Sequence, residues 1–132
     1  MVTFVDTSAL VAFLDADDPS HPAALRALRS LMDAGEPLLT HNYVAVESIA
    51  LVQRRLGLAA TGVLCDDLLP LIEHVWVDET LHRRAVDATR AADRRGVSVV
   101  DRTSFAVMRD RSISAAWAYD VDFDREGFET VR

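Results

Sequence analysis

The sequence predicts an α/β domain built on a central parallel β-sheet flanked by helices. Two patterns carry this reading: short β-rich runs alternate with segments of helical periodicity, and no linker, repeat or low-complexity segment interrupts them. A third supports it, because acids stand at the ends of predicted strands, where such sheets bind ligands. At 132 residues the chain suits a single domain over residues 1–132 with one core.

Val2 to Val5 is the first strand, and Ala9 to Leu14 reads as a helix that fades in Asp15-Ala-Asp-Asp-Pro19. Ser20-His21-Pro22 is a start signal for a second helix, whose Leu25, Leu28, Leu31 and Met32 keep helical spacing up to Gly35. Pro37 to Thr40 is a second strand. Asn42 can cap a helix that runs to about Leu56 and stops at Gly57, and Leu58 to Leu69 is another, closed by Pro70. His74 to Val77 gives a third strand, Glu79 to Arg95 a polar-faced helix stopped by Gly96, and Val97 to Val100 a fourth strand. Asp101 then opens a helix to about Arg111, Ser114 to Tyr119 forms a fifth strand, and Phe128 to Val131 a last short one. Apolar residues of the middle helices, among them Leu25, Leu28, Leu31, Val52, Leu56, Val63, Leu64 and Leu68, exceed one core, so some are expected at interfaces.

Composition removes several classes. No window approaches the ~20 apolar residues of a membrane span, and MVTFVDTS has no basic stretch followed by an apolar run. No membrane partner is expected, and a cytoplasmic location is. Cys65 is the only cysteine, which excludes an internal disulfide and disfavours a thiolate zinc site; it is expected to pack as a small apolar residue. All 14 basic residues are Arg, so lysine nucleophiles are excluded, as is a receiver domain that relies on a lysine beside its phosphoryl group. A net charge of −7 opposes unaided attraction to nucleic acid.

The acids are the informative constellation. Asp6 follows the first predicted strand, Asp101 the fourth and Asp120 the fifth. Singly, Asp6 and Asp101 read as helix caps. Three acids converging on one crevice repel each other unless a cation joins them. Glu47 lies inside a helix with Tyr43, Val44, Ala50 and Leu51 as neighbours, so it either pairs with Arg54 or Arg55 or joins the other acids. Oxygen donors of this kind suit Mg2+ or Mn2+. His21, His41, His74 and His82 show no metal-ligand spacing and read as surface or turn residues, with His21 starting the second helix. No nucleophile elbow, phosphate loop or Cys pair is present.

With VDTSALVAFLD, Glu47 in NYVAVESIALV, VVDRTSFAVM and AYDVDF in this order, nearly the whole chain resembles PIN-domain proteins, specifically the VapC toxins of bacterial toxin-antitoxin modules. The resemblance implies a PIN-like fold, RNA cleavage dependent on Mg2+ or Mn2+ with 5′-phosphate and 3′-hydroxyl products, a homodimer and a VapB-type antitoxin. Asp6, Glu47, Asp101 and Asp120 match the family's four acids, and Asp122, the neighbouring acid of the last segment, is an alternative metal ligand to Asp120. Asp6, Asp101 and Asp120 are then direct ligands, while Glu47 either ligates the metal or orients the attacking water. Thr7, Ser8, Thr103 and Ser104 occupy the family's supporting hydroxyl positions, with capping an equal alternative. Ala118 stands where the family often has Thr. The competing function is a degenerate PIN domain that binds RNA or protein without cutting. Arg83, Arg84, Arg90, Arg94 and Arg95 form one candidate RNA-facing set and Arg102, Arg109 and Arg111 another, against ordinary ion pairs such as Glu79 with Arg83.

Overall fold

The computed structural model describes residues 1–132 and holds five parallel strands: β1 (Thr3–Val5), β2 (Leu38–His41), β3 (Glu73–Val75), β4 (Ala115–Trp117) and β5 (Glu129–Val131). Their spatial order is β3-β2-β1-β4-β5. The chain builds outward from β1 through β2 to β3, then returns to the other side of β1 with β4. The direction of winding therefore switches between β1 and β4, where parallel sheets open a crevice beyond their carboxyl ends. The register Val5 to Trp117 brings the residues that follow these two strands together.

The central strands are buried on both faces, as a parallel sheet covered by helices requires, and Phe4, Val5, Ala116 and Trp117 lie in the core. The helices are α1 (Thr7–Leu14), α2 (His21–Ala34), α3 (Asn42–Leu56), α4 (Leu58–Val63), α5 (Glu79–Ala91), α6 (Val99–Asp110) and the short α7 (Asp122–Arg125). Helix α2 starts at His21 and Pro22 and ends at Gly35, whose φ of 67° is the left-handed conformation that glycine adopts without strain.

Several expectations are corrected. Val97 to Val100 is not a strand: Ser98 caps α6, its hydroxyl receives the Asp101 N–H, and the Asp101 carboxylate receives the Ser98 N–H. This reciprocal pair satisfies two helix donors at once and draws Val99 and Val100 into the first turn. Asp101 is thus the third residue of its helix and not the cap. At α3 the cap is His41, which receives the Val44 N–H, while Asn42 receives the Val77 N–H from the loop after β3. The helix expected from Leu58 to Leu69 divides into α4, a π-helical turn over Leu64–Leu68 and a 3-10 turn over Leu69–Leu71. In that wide turn Leu64 and Leu68 face the core, so Cys65 is exposed and does not pack as an apolar residue. Helix α5 ends at Ala91, before Gly96 is reached. The surplus apolar residues divide: Leu31, Val52, Leu64 and Leu68 are buried, whereas Leu25 and Val63 are exposed.

Candidate metal centre

Asp6 leaves β1 in extended conformation and caps α1, its Oδ2 accepting from the Ser8 N–H at 3.1 Å and the Ser8 hydroxyl at 2.6 Å. Ser8 Oγ in turn receives the Tyr119 N–H at 2.9 Å. One hydroxyl therefore ties the acid after β1 to the segment after β4. Asp120 accepts the Asp122 N–H at 2.9 Å, a local turn that fixes its carboxylate.

Asp6, Glu47, Asp101 and Asp120 line one cavity of about 330 Å³, together with Thr7, Ser8 and Tyr119. Carboxylate oxygens of Asp101, Asp120 and Asp122 also lie within 4.8 Å of one another, so Asp101 and Asp120 belong to both groupings. The two groupings differ over Asp122. It is buried and does not line the cavity, and Arg94 and Arg125 each approach its Oδ1 at 3.3 Å. Asp122 has its countercharge within the protein; the other four acids form no ion pair at all.

That absence has an electrostatic consequence. Asp6 is 4% exposed, and its carboxyl is pushed up to about 7 by burial first, with the Asp101 and Asp120 charges adding to it against the Ser8 hydrogen bonds. Asp101 is raised as well, by burial first and by the charges of Asp120 and Glu47. A set of hard oxygen donors without a countercharge, with Asp6 buried and Asp101 and Asp120 half-buried, fits a divalent cation of the Mg2+ or Mn2+ type, which would offset the repulsion. No His or Cys lines the cavity, so the donor set does not suit zinc.

The remaining expected residues sit as follows. Glu47 is exposed on the cavity rim, not enclosed by apolar neighbours, and pairs with neither Arg54 nor Arg55. Thr7 lines the cavity and accepts from the Ser48 hydroxyl at 3.2 Å. Thr103 and Ser104 are buried outside it, bonding back to Val99 O and Val100 O in their own helix. His41 is not a surface residue: it is fully buried, 2.8 Å from Ser104 through Nε2, and burial holds its pKa down at about 4. Of the expected RNA-facing arginines, Arg83, Arg84, Arg94, Arg102 and Arg109 are engaged with carboxylates, as the ion-pair alternative required. Sequence reasoning missed Asp18, Arg55, Ser98 and Tyr119 as cavity residues. Only Arg55 left a signal, since it follows Glu47 and Leu51 at successive intervals of four residues on one helical face.

The PIN domain profile matches residues 3–129. The 23S rRNA-specific endonuclease VapC20 of Mycobacterium tuberculosis, in strains CDC 1551 / Oshkosh and H37Rv, is 38% identical over 133 residues, covering 98% of this chain and 97% of the relative. The crystal structure of VapC20, described as a Sarcin-Ricin loop cleaving toxin, superposes with a TM-score of 0.83 at 35% identity, covering 97% of this chain and 96% of that one. FitAcB from Neisseria gonorrhoeae shares the fold alone, with a TM-score of 0.70 at 15% identity over 100% of this chain and 97% of the other. The profile match and the similarity to VapC20 extend over the segments that supply the acids, and on these grounds the chain belongs to the PIN-domain family.

Proposed function

We propose that this chain is a Mg2+- or Mn2+-dependent endoribonuclease and the toxin of a toxin-antitoxin pair, with Asp6, Glu47, Asp101 and Asp120 as its catalytic acids. The observation that carries this is the buried Asp6 carboxylate, without any cationic partner, facing Asp101 and Asp120 in one cavity at the carboxyl edge of the sheet. Asp6, Asp101 and Asp120 hold the cation, and Asp122, already paired with Arg94 and Arg125, braces the wall behind them. A bound divalent cation supplies Lewis-acid polarisation of the scissile phosphate and stabilises its developing charge. Glu47, the exposed acid of the set, receives a hydrogen bond from the attacking water and sets its approach. Ser8 and Thr7 hold the cradle in place: Ser8 aims Asp6, and Thr7 anchors α1 to α3.

The similarity to VapC20 supports RNA of the large ribosomal subunit as substrate, and a hairpin carrying the Sarcin-Ricin loop is the probe of choice. Residues 1–132 act as a single domain, with a VapB-type antitoxin as partner and a homodimer as the working assembly. Sedimentation only as a monomer at micromolar concentration would remove the dimer from this reading. For the activity, the hairpin is incubated with Mn2+, with EDTA, and with an Asp101→Asn variant in Mn2+. Cutting in the first condition alone is expected; equal cutting in all three would refute the metal-dependent mechanism.

A further inference from the structure

We infer that Arg55 is the residue that receives an RNA phosphate flanking the scissile one, which makes it the substrate-positioning cation of the acidic cavity. This rests on the nuclease reading of that cavity. Arg55 is the only basic side chain lining it, among Asp6, Asp18, Glu47, Asp101 and Asp120. It is exposed and forms no ion pair, although five acids line the same cavity. Two other arginines behave differently, since Arg94, in the connection between α5 and α6, is held by Asp122, and Arg102 of α6 by Glu126. Arg55 is therefore the one guanidinium in the cavity that remains free to bind an incoming anion.

Its position on α3 decides which anion. Glu47, Leu51 and Arg55 share one helical face, and eight residues at ~1.5 Å rise place Arg55 about 12 Å along the axis from Glu47. Glu47 and Arg55 both line the cavity that holds Asp6, Asp101 and Asp120, with Glu47 and Arg55 at opposite ends of this face. A guanidinium so displaced meets the backbone beside the reacting phosphate, where its planar fork binds two phosphate oxygens at once. Such a contact supplies positive charge within a Debye length of the phosphate, a local attraction against the repulsion that the chain's net charge of −7 presents to RNA.

The test uses the full chain and fluorescent hairpins with two different loop sequences, one of them the Sarcin-Ricin loop. Binding is measured in an uncut background, Asp101→Asn, with and without Arg55→Ala, between about 50 and 200 mM salt. Arg55→Ala is expected to weaken both hairpins equally, roughly tenfold, and to lower the slope of log affinity against log salt by about one. Arg55→Lys keeps that slope while recovering only part of the affinity. With Asp101 intact, Arg55→Ala raises KM for the Sarcin-Ricin hairpin by a similar factor, while kcat and Mn2+ affinity stay unchanged. An unaltered KM and salt slope would overturn the inference, and so would loss of Mn2+ binding, which would make Arg55 a support of the metal site. A wild-type chain that neither cuts the hairpin nor binds Mn2+ overturns the nuclease reading itself, whereas wild-type cutting that Arg55→Ala leaves untouched removes the role of Arg55 alone.

Discussion

Asp6 is held by opposing demands. Its Ser8 hydrogen bonds favour the carboxylate, whereas burial and the charges of Asp101 and Asp120 favour the neutral acid, and the balance lies near 7 in place of 3.8. Between those pH values the metal-free folded chain keeps a proton on Asp6 that the unfolded chain has released. The contribution to stability is therefore complete below 3.8 and is lost as pH rises through about 7. His41 works in the opposite sense: its pKa falls from 6.5 to about 4 on burial, so its contribution is present above 6.5 and is lost as pH falls. In urea unfolding with EDTA, Asp6→Asn should gain stability relative to wild type as pH rises from 3.8 to about 7, by a few kcal/mol. Parallel profiles would show that Asp6 titrates normally. Saturating Mn2+ should reverse the order at pH 8, because only wild type retains all the carboxylate charges that attract the cation.

At the scale of elements, α3 is the part that sets the cavity rim, and two buried polar contacts position it. Ser48 bonds to Thr7 of α1, and His41, at the head of α3, meets Ser104 of α6. Ser104 spends its proton on Val100 O, and His41 Nδ1 accepts from Val44, so the ring carries its proton on Nε2 and donates it to Ser104. Ser104→Ala leaves that buried donor unpaired and should cost about 1–3 kcal/mol in chemical denaturation, with kcat of the folded enzyme little changed. A loss of kcat at unchanged stability would instead give Ser104 a direct part in the reaction. These contacts also explain what the sequence conceals. The acid after the first strand and the helix stop at Gly35 rest on neighbouring residues and can be read locally. His41 is buried by α6, a segment some 60 residues away, and no local pattern reveals it. Val97 to Val100 has β-branched residues on which strand propensity and the Ser98 cap compete, and the cap's two hydrogen bonds prevail. Arg55 shows its helical face in the sequence, but the cavity it lines exists only after folding.

At the scale of the molecule, the site is a product of strand order. With β1 and β4 adjacent in the sheet, Asp6 and Asp120 leave neighbouring carboxyl ends; α6 brings Asp101 to them and α3 brings Glu47. No two of these four acids are close in sequence, so the negative charge is concentrated only by tertiary packing, and no ion pair within the protein neutralises it. Asp122 marks the contrast within the same neighbourhood, because the fold provides it with Arg94 and Arg125. The most direct test is anomalous scattering from metal-free crystals soaked in Mn2+. A manganese peak coordinated by Asp6, Asp101 and Asp120 is the predicted result, and soaked crystals with that position empty, or with manganese bound only elsewhere, would contradict the account.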